Sequence, residues 1–223
     1  SALLGSFLII IINFQIIRSW FGGNGPANLG SIEVSYVSMG RFLVDYGRLS
    51  WAPFWYLGFP FHLFYTPLLP FMEALLNKTT SMPLWETYRF LTGVAYILAP
   101  VGVFFLGWQL SKNFFGGLLA GLLYSVGPSV MYFIAPEVLA DKFSLDFMDP
   151  RRFTILVRWG EGPHIFSLAF LPWVGVFLVR FLKKGKFIDL LLTSIFLGLT
   201  ALSNSLGLFA AILLILSCGF VML

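Results

Sequence analysis

Three charged side chains follow the first apolar run of the sequence at a spacing that suits proton transfer: Glu33, Arg41 and Asp45. The apolar pattern around them predicts a helix over Ser31–Tyr46, on which Arg41 and Asp45 would face each other at i,i+4. Glu33 would lie about two turns earlier on roughly the same side. An outward-facing carboxylate just above a bilayer could serve as the base for an incoming hydroxyl group. These residues alone favour a plainer interpretation, in which all three are interfacial charges with solvated heads.

A segment rich in aromatic residues and proline follows, from Trp51 to Pro70. Its four prolines prevent a continuous helix, and Gly58 permits a turn. The segment is either a structural loop at the membrane interface or the wall of a cavity that faces lipid or sugar, where aromatic rings stack on pyranose rings. In the second case the substrate-binding side chains would be Trp51, Trp55, His62 and Tyr65, although a histidine in this setting is more often structural.

A cluster of charges lies further along the chain. Arg151, Arg152 and Arg158 could clamp a phosphate, since guanidinium groups match phosphate oxygens in shape and charge. The phosphate of a phospholipid or of a polyprenyl phosphate would suit this cluster equally. Salt bridges to neighbouring aspartates explain the same arginines at least as well. Glu161 and His164 mark the entry into the next apolar segment, and we count both among the candidate binding residues.

The composition excludes several classes of protein. Of 223 residues, 58% are apolar and only 11% are charged, which is too few to cover a soluble core of this size. A soluble enzyme, a nucleic-acid-binding module and a disordered chain are therefore poor hypotheses. The single cysteine excludes a disulfide framework within the chain. The sequence predicts an integral membrane protein.

Six segments are apolar and long enough to be transmembrane helices, some only marginally, because a bilayer core of about 30 Å needs roughly 20 residues of helix. They are Ala2–Ile17, Tyr88–Leu110, Phe114–Ala135, His164–Phe181, Phe187–Leu202 and Leu206–Leu223. We therefore predict an all-α polytopic membrane protein.

Short basic connections set the predicted orientation. The connection at Lys112 and the one from Arg180 to Lys186 are expected in the cytoplasm. The two long connections, about 18–87 and 136–163, then lie outside. The chain starts without an initiator methionine and stops inside an apolar run. We therefore expect 1–223 to be one membrane domain that forms the N-terminal part of a longer chain.

Motifs for other chemistries are missing from the sequence. There is no Walker loop, dinucleotide fingerprint, zinc-protease motif or nucleophile elbow, and we assign no metal-ligating residues. The predicted spans carry almost no ionisable residues at mid-depth, which disfavours an ion-coupled transporter.

The segment from Glu33 to Pro70 resembles a pattern in the GT-C-type membrane glycosyltransferase superfamily. The nearest likeness is to the multi-span membrane proteins labelled 6-pyruvoyl-tetrahydropterin-synthase-related. In these an acidic residue after the first span is followed by Gly-x-x-x-Trp-x-Pro, Gly-x-Pro and Tyr-x-Pro-Leu. The corresponding residues here are Glu33, Gly47 to Pro53, Gly58 to Pro60 and Tyr65 to Leu68. The turn around Glu161 is similar to the second outer loop of that family.

The resemblance implies a lipid-linked sugar transferase with a GT-C-like fold in a prokaryotic plasma (inner) membrane. Such an enzyme would take a sugar from a polyprenyl-phosphate donor at the outer face. Glu33 would be the catalytic residue, either as the general base or as a carboxylate near a divalent metal ion; the cofactor is otherwise unknown.

The alternative is a non-catalytic scaffold subunit that retains the fold, binds membrane lipids and contacts protein partners in a larger complex. It is favoured by two departures from the family pattern. The family position of Glu33 is more often Asp with His four residues later, where this chain has Val37. A later family His is replaced by Asn204.

Overall fold

The computed structural model describes residues 2–22, 30–47, 51–52, 57–61, 66–127 and 150–222. The described residues form nine helices and one short hairpin. The helices are α1 (Ala2–Phe21), α2 (Ser31–Tyr46), α3 (Leu68–Thr80), α4 (Leu84–Ser111), α5 (Phe114–Val126), α6 (Arg151–Trp159), α7 (Gly162–Lys184), α8 (Phe187–Ser203) and α9 (Ser205–Met222). The predicted all-α class is confirmed for these residues, apart from the two-residue strands β1 (Trp51–Ala52) and β2 (Phe59–Pro60).

Each of the six predicted apolar segments contains a helix, although residues 128–135 of the third segment and Leu223 of the sixth lie outside the described residues. Three of those helices, α1, α4 and α7, are long and apolar enough to cross a membrane, whereas α5, α8 and α9 are shorter apolar helices. Six spans therefore remain a prediction. The fifth and sixth segments are separate helices because Asn204 interrupts them: its Oδ1 accepts hydrogen bonds from the backbone N–H groups of Leu206 (2.8 Å) and Gly207 (3.3 Å). Asn204 is thus the N-cap of α9.

The predicted outer connection of residues 18–87 holds ordered structure. The helix predicted at Ser31–Tyr46 is present as α2. In the hairpin, Trp51 pairs with Pro60 and Ala52 with Phe59 in antiparallel register. The helix α3 then leads directly into α4, and both α3 and α4 pack against α2. The two described helices of this connection, α2 and α3, therefore form a layer on the starting end of α4.

The helix α4 lies at the centre of the fold. It packs against α1, α5 and α7, and its buried Tyr88, Ala95 and Tyr96 belong to the main hydrophobic core. Small residues allow close approach of the helices: a Cβ added to Gly117 of α5 would lie 2.6 Å from Cβ of Trp108 on α4. Close backbone contact at small residues is typical of helices that associate in a bilayer.

Candidate functional site

Glu33 lies inside the fold, where it forms an ion pair with Arg89 of α4. The distance from Glu33 Oε1 to Arg89 Nε is 2.8 Å. The other carboxylate oxygen accepts a hydrogen bond of 3.1 Å from the backbone N–H of Gly30, the N-cap residue of α2. A glutamate three residues after the N-cap commonly makes this contact, and its charge complements the helix dipole. Only 1% of Glu33 is exposed.

Two tryptophans enclose the partner of Glu33. The Arg89 guanidinium carbon lies 5.0 Å from the ring centroid of Trp20 at the end of α1 and 5.5 Å from that of Trp85 at the start of α4. Both distances are within the range of cation–π attraction. Trp20 is fixed in turn, because its Nε1 donates a hydrogen bond of 3.1 Å to the hydroxyl of Thr92. The ion pair therefore joins α2 to α4 beneath an aromatic cover.

The placement of Glu33 differs from the outward-facing carboxylate that the sequence predicts. Both of its oxygens are engaged by protein groups, and the side chain is shielded from solvent. The sequence does not show this, because Arg89 follows 56 residues later, inside a segment that its apolar character predicts to be a span. The catalytic role of Glu33 stays a prediction.

A second buried carboxylate, Glu73 of α3, lies close to this pair, and the sequence analysis gives it no role. Glu73 is 0% exposed, and neither of its oxygens has a hydrogen-bond partner among the described residues. It fits against Gly40 of α2, where an added Cβ would lie 2.7 Å from Glu73 Oε2. Burial raises the pKa of Glu73 well above its ordinary value, and the negative charge of Glu33 raises it further. Both effects favour the protonated form of the Glu73 carboxyl group.

The turn around Glu161 contacts the start of α2. The Tyr88 hydroxyl donates a hydrogen bond of 2.5 Å to the carbonyl of Gly160 and accepts one of 2.9 Å from the N–H of Gly162. Gly160 has a φ of +69°, and a Cβ there would lie 3.0 Å from the backbone N of Glu33. Two regions that the family resemblance singled out, the start of α2 and the Gly-Glu-Gly turn, are therefore neighbours. Glu161 itself is half-buried, and burial raises its pKa.

The arginines of α6 have different surroundings. Arg152 is buried, its guanidinium carbon 4.1 Å from the Tyr96 ring centroid and 4.6 Å from that of Tyr124. It donates to the Tyr96 carbonyl and, over 3.4 Å, to Oδ1 of Asn13. Arg151 instead lies 4.5 Å over the Trp159 ring. Arg152 thus points into the helix bundle, where burial lowers its pKa, and does not extend a surface phosphate clamp.

An open cleft with a volume of about 620 Å³ lies between α2, the end of α3 and the start of α4. Arg41 and Asp45 both line it and are exposed. The remaining lining residues come from α2, from the end of α3 and from the start of α4: Val37, Ser38, Phe42, Tyr46, Asn77, Pro83, Leu84 and Trp85. Trp85 thus contributes to the cleft and also contacts Arg89, the partner of Glu33. Two of the three charges considered first in the sequence face this cleft.

The other candidate residues have mixed placements. Trp51 is exposed at the start of the hairpin. His164 lies in the first turn of α7, and its Nδ1 is buried with no hydrogen-bond partner in the part of the chain that is described. Arg158 is exposed. Trp55, His62 and Tyr65 lie outside the described residues. Within the described ranges there is no group of three His, Cys, Asp or Glu side chains that could hold a metal ion.

Comparison with known proteins gives no match of any kind: no family model, no curated protein and no solved structure matches this chain. The resemblance to GT-C-type proteins therefore stays a hypothesis that depends on the motifs between Glu33 and Pro70.

Proposed function

We propose that this chain is a multi-pass subunit of a prokaryotic plasma-membrane complex, which binds lipid and has a structural rather than a catalytic role. The observation that carries the proposal is the environment of Glu33. A general base needs an oxygen within hydrogen-bond reach of the substrate's proton. Both oxygens of Glu33 are instead used by Arg89 and by the start of α2.

The position of the ion pair supports a structural role in a membrane. Trp20 and Trp85 lie at adjoining ends of α1 and α4, two of the helices long enough to span a bilayer. Tryptophan is enriched at the depth of lipid headgroups. The Glu33–Arg89 pair therefore lies near one membrane interface, where it would fix the α2–α3 layer to the spans. Removing one partner of such a buried pair typically costs about 3–5 kcal/mol.

A second candidate is transfer of a sugar from a polyprenyl-phosphate donor, with Glu33 as the base. One observation favours it: the cleft lined by Arg41, Asp45 and Trp85 lies beside the ion pair and is large enough for part of a lipid-linked sugar. This candidate requires Glu33 to leave Arg89 and turn towards the cleft. The donor phosphate would then be held by arginines such as Arg151 or Arg158.

The two candidates are distinguished by Glu33→Gln, which keeps the shape of the side chain and removes its charge. The full chain is reconstituted in liposomes with a polyprenyl-phosphate hexose, and release of polyprenyl phosphate is measured together with the melting temperature. The structural proposal expects no release by either protein and a lower melting temperature for the variant. Release by the wild type that Glu33→Gln abolishes, with an unchanged melting temperature, would instead establish transfer chemistry.

A further inference from the structure

We propose that the cleft between α2, α3 and the start of α4 binds the headgroup of a phospholipid that carries both a phosphate and a primary ammonium group, as phosphatidylethanolamine does. The inference rests on the proposed function, because it needs the cleft to lie at a membrane surface. It goes further by naming the site and the class of lipid.

The charges of the cleft carry the argument. Arg41 and Asp45 are four residues apart on α2, a spacing at which opposite charges commonly pair across one turn. Both side chains line the cleft, yet neither forms an ion pair with any described residue. Among the described residues, the cleft therefore offers a cation and an anion that are not paired with each other and lie within about one turn of helix. A ligand with an anionic and a cationic group joined by a short linker complements both.

Each charge suits one group of the proposed headgroup. The guanidinium fork of Arg41 matches two phosphate oxygens. The carboxylate of Asp45 can accept hydrogen bonds from a primary ammonium, which has three N–H donors. A lipid with phosphate but no amine would leave Asp45 close to a negative charge, which is unfavourable. The cleft therefore selects against anionic glycerol headgroups.

The aromatic residues of the cleft argue against a quaternary ammonium headgroup. Choline is usually bound by several aromatic faces that surround the cation. Here one face of Trp85 is directed to Arg89, and the Tyr46 ring packs on Phe42 with centroids 5.3 Å apart. The described lining thus has no aromatic cage, and hydrogen bonding to Asp45 is the available means of holding an amine.

The location of the cleft favours a membrane lipid over a soluble molecule as its ligand. The cleft lies at the end of α4 that carries Trp85, close to Trp20 at the end of α1. One turn before Ser38 on the same face of α2 lies Val34, an exposed apolar residue. An acyl chain that leaves the cleft along α2 in this direction would contact Val34.

The test uses the full chain purified in a neutral detergent. Phosphatidylethanolamine, phosphatidylglycerol and phosphatidylcholine with identical acyl chains are added in turn, and bound lipid is counted by native mass spectrometry. We expect the wild type to prefer phosphatidylethanolamine. Asp45→Asn should weaken binding of this lipid about tenfold, since a charge-assisted hydrogen bond is lost, and should leave binding of phosphatidylglycerol unchanged or stronger. Arg41→Gln should weaken both.

Two matched variants control for general charge effects. Arg18→Gln removes an exposed cation at the end of α1, and Glu86→Gln removes a carboxylate from the first turn of α4. Neither residue lines the cleft, so neither change should alter the preference. Circular dichroism checks that all four variants fold, which is expected because Arg41 and Asp45 are exposed.

Three results would overturn the proposal: equal binding of the three lipids by the wild type, a preference that survives Asp45→Asn, or equally tight binding of soluble glycerophosphoethanolamine. The last result would assign the cleft to a free phosphoamine. Failure here would not affect the structural role proposed for Glu33, because that role is tested by polyprenyl phosphate release and not by lipid preference.

Discussion

Glu33 of α2 and Arg89 of α4 form a buried ion pair, with 2.8 Å between Oε1 and Nε. The pair is covered by Trp20 and Trp85 and lies near a second carboxylate, Glu73 of α3, which has no hydrogen-bond partner in the described part of the chain. Two buried carboxylates, Glu33 and Glu73, are therefore close enough for their charges to interact. Burial and the nearby charge of Glu33 raise the pKa of Glu73 well above its ordinary value, which favours a proton on Glu73.

The raised pKa of Glu73 predicts how the free energy of unfolding depends on pH. Because the pKa of Glu73 is raised in the folded state, the folded chain binds more protons than the unfolded chain between the two pKa values. The free energy of unfolding should therefore be highest at acidic pH and fall as the pH rises through the raised pKa. Among the described residues, Glu33 and Tyr88 interact electrostatically with Glu73, and the charge of Glu33 adds to the effect.

Replacing Glu73 with Gln should remove this dependence. We expect E73Q to melt at the same or a higher temperature than the wild type at pH 8, with a flatter profile from pH 5 to 9. The gain should be about 1.4 kcal/mol for each unit by which burial raises the pKa. E86Q, at a partly exposed position of α4, is the control and should leave the profile unchanged. A wild-type profile that rises with pH, or one that E73Q leaves intact, would show that Glu73 is charged in the folded state.

Gly40 is expected to be intolerant of a side chain. An added Cβ would lie 2.7 Å from Glu73 Oε2 and 3.3 Å from Cδ2 of Leu84, so G40A should destabilise the fold by about 1–3 kcal/mol. In an E73A background the same change should cost less, because the carboxylate no longer occupies the space. Thermal unfolding of the four proteins measures the coupling.

Gly198 of α8 serves as the control for Gly40. A Cβ there meets no atom within 4 Å, so G198A should be neutral or slightly stabilising, as alanine is in an open helix. Equal costs at Gly40 and Gly198 would refute the close contact between α2 and α3.

The hydroxyl group of Tyr88 should contribute to the stability of the fold. Y88F leaves the Gly160 carbonyl and the Gly162 N–H without their partner, which should cost about 1–3 kcal/mol. Hydrogen exchange at the Gly162 amide should become faster, while Y46F, a change at an exposed tyrosine, should leave it unaltered. Unchanged exchange in Y88F would mean that Tyr88 does not hold the turn around Glu161 against α4.

The sequence predicted the helices well and the site less well, for one physical reason. The length and apolar composition of a helix are local properties of the sequence. Runs of apolar residues therefore predict α1, α4 and α7, which are long enough to span a bilayer. The partners of buried charges are not local. Arg89 lies far along the chain from Glu33, and the burial of Glu73 depends on the missing side chain of Gly40 on another helix. The contact between Glu73 and Gly40 produces no sequence pattern within either helix from which it could be predicted.

The predictions for Asp45 and Arg152 show the same contrast. The i,i+4 spacing of Arg41 and Asp45 predicts that they share one helix face, a local relationship, and both residues line one cleft. Arg152 was predicted to bind phosphate with its neighbours, but its guanidinium lies between Tyr96 and Tyr124 in the bundle. The neighbouring helices α1, α4 and α5 determine which face of the short helix α6 is buried. The sequence of α6 alone does not predict that face.

The most direct test of the structural role of Glu33 is a double-mutant cycle of E33Q and R89Q, measured by reversible unfolding of the full chain in mild detergent. We predict that each single change lowers the free energy of unfolding by about 3–5 kcal/mol and that the double change costs clearly less than the two single changes together, because it leaves no buried charge unpaired. Additive effects, or single variants as stable as the wild type, would contradict the account and return Glu33 to the role of a free carboxylate.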